Sequence, residues 1–388
     1  MTGPLKTVTD GALVSAGVML PAPVLPEYQA ACTSNIVPEL IKQLIDQPVA
    51  DWMPQELTDA TQFVLLVVDG LGWDQLQERT ALAPTLMTFQ GGPITTVAPT
   101  TTATALTSIV TGRPPSVHGI LGYRLHMPSN EVLNVLKWET AQGDAKERIP
   151  PEQFQTQPAF AGNKVPVVTR RHFAGSGFSN AHLQGVEVFG YSVPSSLPVE
   201  VWRLMKRGDP FVYAYYDGLD TVAHAHGFDE HYEAELYTVD RLIRDLVAGM
   251  PKGSALVVTS DHGQVEVGNR MLTIEPEIAN LCSSFSGEGR FCWLHAKEGR
   301  VDELFSASRE AYGELAWVHT RAQLDEADWF GGPLSPGMAS RLGDVALVPS
   351  APVAFQDPAS DGESRMRCRH GSMTGAEVHV PLLVKKID

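Results

Sequence analysis

Five short stretches of this chain hold side chains that ligate metals or attack electrophiles. Asp69 ends an apolar run, and a threonine-rich segment, P-T-T-T-A-T-A-L-T-S-I-V-T-G, spans 99–112. Asp220 and His224 stand four apart in D-T-V-A-H, Asp261 and His262 are adjacent before Gly263, and His370 opens H-G-S. A spacing of four on one helical turn aims both side chains at one point, as metal ligation requires. An Asp–His pair in a strand-to-loop turn can be aimed at neighbouring points, and the glycine after His370 permits close backbone approach. With Asp69 these residues make three carboxylates and three imidazoles. That donor set suits two divalent ions, Zn²⁺ first and Mn²⁺ second. Two such ions side by side activate one oxygen and stabilise another in phosphoryl transfer.

The threonine segment offers a nucleophile. Six Thr or Ser hydroxyls lie between 100 and 108, a composition poor for a helix interior and good at its start. A hydroxyl at the N-terminus of a buried helix meets free N–H groups and the positive end of the dipole, which favours its alkoxide and an adjacent phosphate. Metal coordination lowers the hydroxyl pKa further. The residue types alone leave Thr100, Thr101 and Thr102 equivalent.

These groups need elements that deliver them to one place. The run F-V-L-L-V-V (63–68) stops at Asp69-Gly70, as a buried strand stops at the edge of a sheet. F-V-Y-A-Y-Y (211–216) precedes Asp217 and Asp220, A-L-V-V-T (255–259) precedes Asp261-His262, and V-P-L-L-V (380–384) reads as a further strand. Between the second and third runs, Leu236, Val239, Leu242, Ile243, Leu246 and Val247 recur at helical spacing. Strands alternating with helices predict an α/β fold with a central, mostly parallel sheet flanked by helices. Ligands in such sheets gather at the carboxyl ends of strands, which is where the Asp and His residues fall. Residues 124–160 predict a hairpin around Pro128-Ser129-Asn130 and then a polar loop. The mixed stretch 265–365 reads as a smaller α+β subdomain inserted near the site, leaving 1–264 and 366–388 as the catalytic core.

With 43% hydrophobic residues the chain has material for a large core, which excludes a disordered protein. Its net charge of −16 repels nucleic acid polymers and anionic membranes, so an anionic substrate needs a local positive device to enter. Cys32, Cys282, Cys292 and Cys368 are scattered without a C-x-x-C pair, which fits a reducing compartment. No apolar run is long enough to span a bilayer. Gly11–Leu20 after Lys6 is a weak sign of export, but no small-residue cleavage site follows and Pro21, Pro23 and Pro26 come next. The cytoplasm is the expected compartment.

Taken in order, the blocks V-V-D-G-L-G (67–72), T-A-T-A-L-T-S-I-V-T-G (102–112), P-P-S-V-H-G-I (114–120), Y-Y-D-G-L-D-T-V-A-H-A-H-G (215–227), T-S-D-H-G (259–263) and R-H-G-S followed by V-P-L-L-V resemble the alkaline phosphatase superfamily. They are most similar to its type I phosphodiesterase/nucleotide pyrophosphatase branch. The resemblance implies an alkaline phosphatase-like core and, counting back from Gly112, selects Thr102 as nucleophile. It implies one metal on Asp220, His224 and His370, and another on Asp69, Asp261, His262 and the Thr102 oxygen. Where the branch usually carries an Asn for the phosphoryl oxygen, this chain has Tyr123 in L-G-Y-R, with Arg124 beside it; both become candidate substrate-binding residues. A formylglycine sulfatase is excluded, because Thr102 cannot be oxidised to that group. The expected activity is metal-dependent hydrolysis of a small phosphate ester or nucleotide through a phospho-threonine intermediate. A phosphomonoesterase, a phosphonate hydrolase and a phosphoryl transferase or mutase are the alternatives. Among the other polar and aromatic residues, His118 reads as a turn residue, Asp217 as the weaker rival of Asp220, and Trp138 as a pocket wall or a core residue.

Overall fold

The run Q-F-V-L-L-V-V forms the strand Gln62–Val68 at the centre of a seven-stranded sheet. All its apolar residues are buried, which is what a β-branched run without polar alternation needs on both faces. It pairs in parallel with Ser254–Thr259 on one side and Phe211–Tyr216 on the other. Val167–Arg170 and Val188–Tyr191 continue the sheet beyond Phe211–Tyr216, again in parallel. On the other flank, His379–Lys386 lies antiparallel between Ser254–Thr259 and Gln90–Thr95. The four strands expected from sequence therefore all belong to one sheet, and the sheet is mostly parallel. This computed structural model describes residues 20–356 and 365–388, so of Gly11–Leu20 only Leu20 falls among the described residues.

The two faces carry separate cores, as the alternation of side chains along the central strand dictates. Phe63, Leu65 and Val67 pack with Ile36, Ile109 and Val110. Val64, Leu66 and Val68 pack with Leu236, Val239, Leu242, Ile243 and Leu246 of the helix Glu230–Gly249. Each of those leucines and isoleucines contributes roughly 1.5–3 kcal/mol by leaving water.

The helix Thr102–Thr111 is buried along its whole length. Two of its hydroxyls are satisfied locally: Thr107 and Thr111 donate to the carbonyls of Ala103 and Thr107 at 2.7 and 2.6 Å. Gly112 ends it with φ 65, and a Cβ there would come within 2.6 Å of Pro38. Arg124–His126 pairs with Val132–Asn134 around Asn130 at φ 60, which is the expected hairpin.

A second sheet, all antiparallel, runs in the order Cys282–Glu288, Phe291–Ala296, Val345–Pro349, Ala316–Thr320. One of its faces builds its own core with Leu294, Val345, Leu347, Leu304 and Tyr312. Phe291, Trp293, Ala346 and Val348 on the opposite face join the main core. The tip of its first hairpin carries Arg290 to Glu377, beside the loop that holds His370. Among the described residues no helix is long and apolar enough to cross a membrane.

Candidate metal centre

The carboxyl ends of three adjacent strands bring the predicted acids together. Asp69 follows Gln62–Val68 and is held by its N–H to the Tyr216 carbonyl at 2.8 Å. Asp261 and His262 follow Ser254–Thr259, and neither is exposed. Asp220 and His224 lie one turn apart on the helix Gly218–His226, which follows Phe211–Tyr216. His370 arrives on the segment before the last strand.

Backbone carbonyls fix how the imidazoles point. Nδ1 of His224 donates to Cys368 O at 2.7 Å, Nδ1 of His262 to Gly263 O at 3.1 Å, and Nδ1 of His370 to Thr100 O at 2.9 Å. Each Nε2 is therefore the lone-pair nitrogen, turned toward the acids. His262 Nε2 lies 3.4 Å from Asp69 Oδ1 and 3.4 Å from Asp261 Oδ2. Those two oxygens are buried and have no hydrogen-bond partner. Three groups that can each offer an electron pair thus converge in a buried place, an arrangement that a cation would complete. The residues fit a divalent metal.

A second convergence lies alongside. Asp220 Oδ1 is 3.3 Å from His224 Nε2 and 3.9 Å from His370 Nε2, and it accepts from Gln264 Nε2 at 2.7 Å. Ligand atoms of Asp220, His262 and His370 form one close group and those of Asp69, Asp261 and His262 another. The His262 and His370 rings stack at 3.6 Å, so the two groups adjoin. Burial raises the Asp69 carboxyl well above the usual range, and the charges of Asp261 and Asp220 raise it further. Asp261 is raised too, first by burial. Burial and the neighbouring His262 and His224 hold His370 well below an ordinary histidine, in its neutral, ligating form.

The three candidate threonines have different surroundings. Thr100 donates to Ser372 O and accepts from Gly371 N, both at 2.9 Å, and so ties down the His370 loop. Thr101 is the residue preceding the first helical position. Thr102 occupies that first position, with Oγ1 3.1 Å from His262 Nε2. Two cavities meet at Thr102, Leu136 and Asp220. One, of about 240 Å³, is walled largely by Leu106, Val167, Phe173, Phe178, Leu183 and Tyr215, with no Lys or Arg among the described residues. The other, of about 210 Å³, is bordered by His224, His370, Tyr123, Glu288, Arg290 and Arg369.

Tyr123 lines this second cavity, and its oxygen accepts from Asn134 Nδ2 at 2.7 Å. Arg124, on the strand paired with Val132–Asn134, lines neither cavity. Asp217 borders the first cavity but is bound by Arg170 at 2.5 Å. His118 sits in the core, bonded to Ser108 Oγ at 2.8 Å and accepting from Ile120 N at 3.1 Å. Trp138 is fully buried in the main core, its indole donating to Ile149 O at 2.7 Å. Gln264, Glu288, Arg369 and the phenylalanines were not singled out by sequence. Arg369 stood inside the R-H-G-S block, where its position next to His370 was the available signal.

Residues 63–373 match the family model described as type I phosphodiesterase / nucleotide pyrophosphatase. No curated protein sequence matches the chain. Among solved structures, murine ectonucleotide pyrophosphatase / phosphodiesterase 5 is similar with a TM-score of 0.63 and 17% identity, covering 84% of this chain and 88% of that one. An inactive Thr-to-Ala variant of that protein in complex with AMP gives a TM-score of 0.62 at 17% identity, with the same coverage of 84% and 88%. Phosphonoacetate hydrolase from Sinorhizobium meliloti in complex with phosphonoformate is similar with a TM-score of 0.62 and 18% identity, covering 84% and 91%. At these identities the likeness establishes the fold.

Proposed function

Because the chain belongs to the type I phosphodiesterase/nucleotide pyrophosphatase family, in the alkaline phosphatase superfamily, and is a metal-dependent hydrolase of phosphate esters, we propose that it cleaves phosphodiesters by attack of Thr102 on phosphorus. One observation carries this reading: Thr102 Oγ1 stands at the helix start, 3.1 Å from His262 Nε2, where the two cavities meet. A diester has two substituents, and a nucleophile between two cavities suits it better than a monoester.

In this reading Asp69, Asp261 and His262 would hold one ion together with the Thr102 oxygen, and Asp220, His224 and His370 would hold the other. Bound there, divalent ions, Zn²⁺ by the chemistry of the donors, would supply positive charge to attract the phosphate and lower the hydroxyl pKa. The first N–H groups of the helix, which have no partner within it, add a positive end at the same point. Attack forms the Thr102 Oγ–P bond and breaks the P–O bond to the leaving alcohol. Water then cleaves phospho-threonine, restoring the Thr102 hydroxyl and releasing the phosphate monoester. Tyr123, oriented by Asn134, donates its hydroxyl to a phosphoryl oxygen, and Arg124 has no part in this. The apolar cavity takes an uncharged ring or chain of a small ester or nucleotide.

Residues 265–365 act as an insertion that shapes the second cavity, with 1–264 and 366–388 as the catalytic unit; the separate core of the small sheet and the reach of Arg290 to Glu377 support this. The four buried free cysteines agree with the cytoplasm. A phosphonate hydrolase is the second reading, favoured by the likeness to a phosphonate-bound neighbour.

The test compares bis-p-nitrophenyl phosphate with p-nitrophenyl phosphate and phosphonoacetate, using Zn²⁺-loaded and chelated protein. A metal-dependent preference for the diester of at least about tenfold is expected. Thr102→Ala should keep the metal content and lose turnover. Preference for the monoester makes the enzyme a phosphatase, and turnover of phosphonoacetate alone selects the second reading.

A further inference from the structure

The three acids of the metal centre are not held alike. Asp69 takes the Tyr215 hydroxyl on Oδ2, and Asp261 takes Gly70 N at 3.2 Å and His262 N at 3.1 Å on Oδ1. Each turns its other oxygen toward His262 Nε2. Their side chains are 4% and 0% exposed, so packing confines them as well. Asp220 is 14% exposed and borders both cavities, which leaves it room to turn.

A donor reaches Asp220 from the end of another strand. Gln264 Nε2 donates to Asp220 Oδ1 at 2.7 Å, and that oxygen is the one facing His224 and His370. Gln264 directly follows Asp261-His262-Gly263, so the loop that supplies two members of one group also supports the other group. The residue is fully buried, and its carbonyl accepts from Gln75 Nε2 at 2.8 Å. Gly70 leaves room for it, since a Cβ there would collide with the Gln264 amide nitrogen and stand 3.1 Å from Asp220 Cβ. Gln264 Oε1, also buried, has no hydrogen-bond partner among the described residues. A glutamine kept for architecture has both ends of its amide satisfied. Here one end goes unpaired while the other meets Asp220.

We propose that Gln264 is a positioning residue for one of the two ions. Its amide fixes the Asp220 carboxylate and so sets the metal affinity of the group Asp220, His224 and His370, leaving that of Asp69, Asp261 and His262 unchanged. A carboxylate oxygen has lone pairs for a hydrogen bond and a cation together, so the support persists when the ion binds. This rests on the two-ion reading above.

The test is a Zn²⁺ titration of chelator-treated protein against a competing dye. The wild type should take up two ions. Gln264→Met, close in size and without a donor, should bind one ion as the wild type does and the other roughly 10–100-fold more weakly. Asp220→Ala should lose that same ion, and adding Gln264→Met to it should leave the remaining affinity unchanged. The melting temperature of metal-free Gln264→Met should not fall, and its kcat should approach that of the wild type as free Zn²⁺ is raised. Two ions bound with wild-type affinity would overturn the proposal. So would equal weakening of both ions with a lower metal-free melting temperature, which is the mark of a packing role. Uptake of a single ion by the wild type would sink the two-ion reading, and this proposal with it unless Gln264→Met weakens that ion. Selective weakening in a protein that cleaves no phosphodiester would uphold Gln264 and refute the hydrolase mechanism.

Discussion

Two buried charge assemblies lie side by side in this protein and are built on opposite terms. Around Arg290 every charge has a partner: five donors meet five acceptors, and Glu377 also accepts from Ser372 N at 3.0 Å and from the Thr374 hydroxyl at 2.6 Å. Around His262 the balance is broken, with Asp69 Oδ1 and Asp261 Oδ2 facing a lone-pair nitrogen. Both assemblies are equally dry. A completed network marks architecture, and an incomplete one marks a place kept for something else.

The contrast can be broken from either side. Asp261→Asn should lower turnover of the diester at least roughly 10⁴-fold, as loss of one member of a concerted site does. The metal-free variant should nonetheless melt higher than the metal-free wild type, because one uncompensated buried charge is gone. A lower melting temperature would mean that the acids are satisfied without a metal. Arg290→Met should cost about 3–5 kcal/mol in urea unfolding by leaving Glu377 buried and unpaired. Arg290→Met with Glu377→Met should recover most of that, whereas no recovery would assign Arg290 a role beyond the pair. Chelation should lower the stability of the wild type by about 3–4 kcal/mol for each ion removed when the metal is present at hundreds of times its Kd. It should leave the Arg290→Met penalty unchanged, as thermal melts of both proteins would report.

The smallest effect concerns His118, a buried imidazole outside both assemblies. Burial, helped by the charge of Arg341, holds it at about 3. The unfolded chain takes up a proton near pH 6.5 that the folded chain refuses, so stability is complete above that pH and declines as pH falls toward 3. At pH 5 the loss owed to this residue is about 2 kcal/mol. His118→Gln should therefore narrow the difference in urea midpoint between pH 8 and pH 5, and an unchanged difference would show that the imidazole charges without penalty.

The incomplete assembly is the one that could be read from sequence. Its members end strands or sit one helical turn apart, and Asp or His at those points stands out against apolar runs. The choice of Thr102 among three threonines came from resemblance to a family, since hydroxyl chemistry alone does not rank them. The complete assembly was silent. Arg290 and Glu377 are 87 residues apart, and a single Arg and a single Glu carry no pattern. The cavities were equally hidden, because Leu106, Leu136, Val167, Phe178 and Tyr215 come from separate segments whose apolar character serves the core as well. Arg124 drew attention beside Tyr123 because neighbours in sequence look like neighbours in space. Arg124 opens a strand that Tyr123 only precedes, and it lines neither cavity.

The antiparallel strand His379–Lys386 has a consequence for how the molecule is made. It is wedged between Ser254–Thr259 and Gln90–Thr95, and His370 hangs just ahead of it. During synthesis, Gln90–Thr95 leaves the ribosome well before its partner His379–Lys386 exists. A chain stalled short of His370 lacks both the sheet's closing ladder and the last of the six candidate ligands. In the proposed mechanism, catalysis therefore waits until synthesis has passed His370 and this strand has closed the sheet.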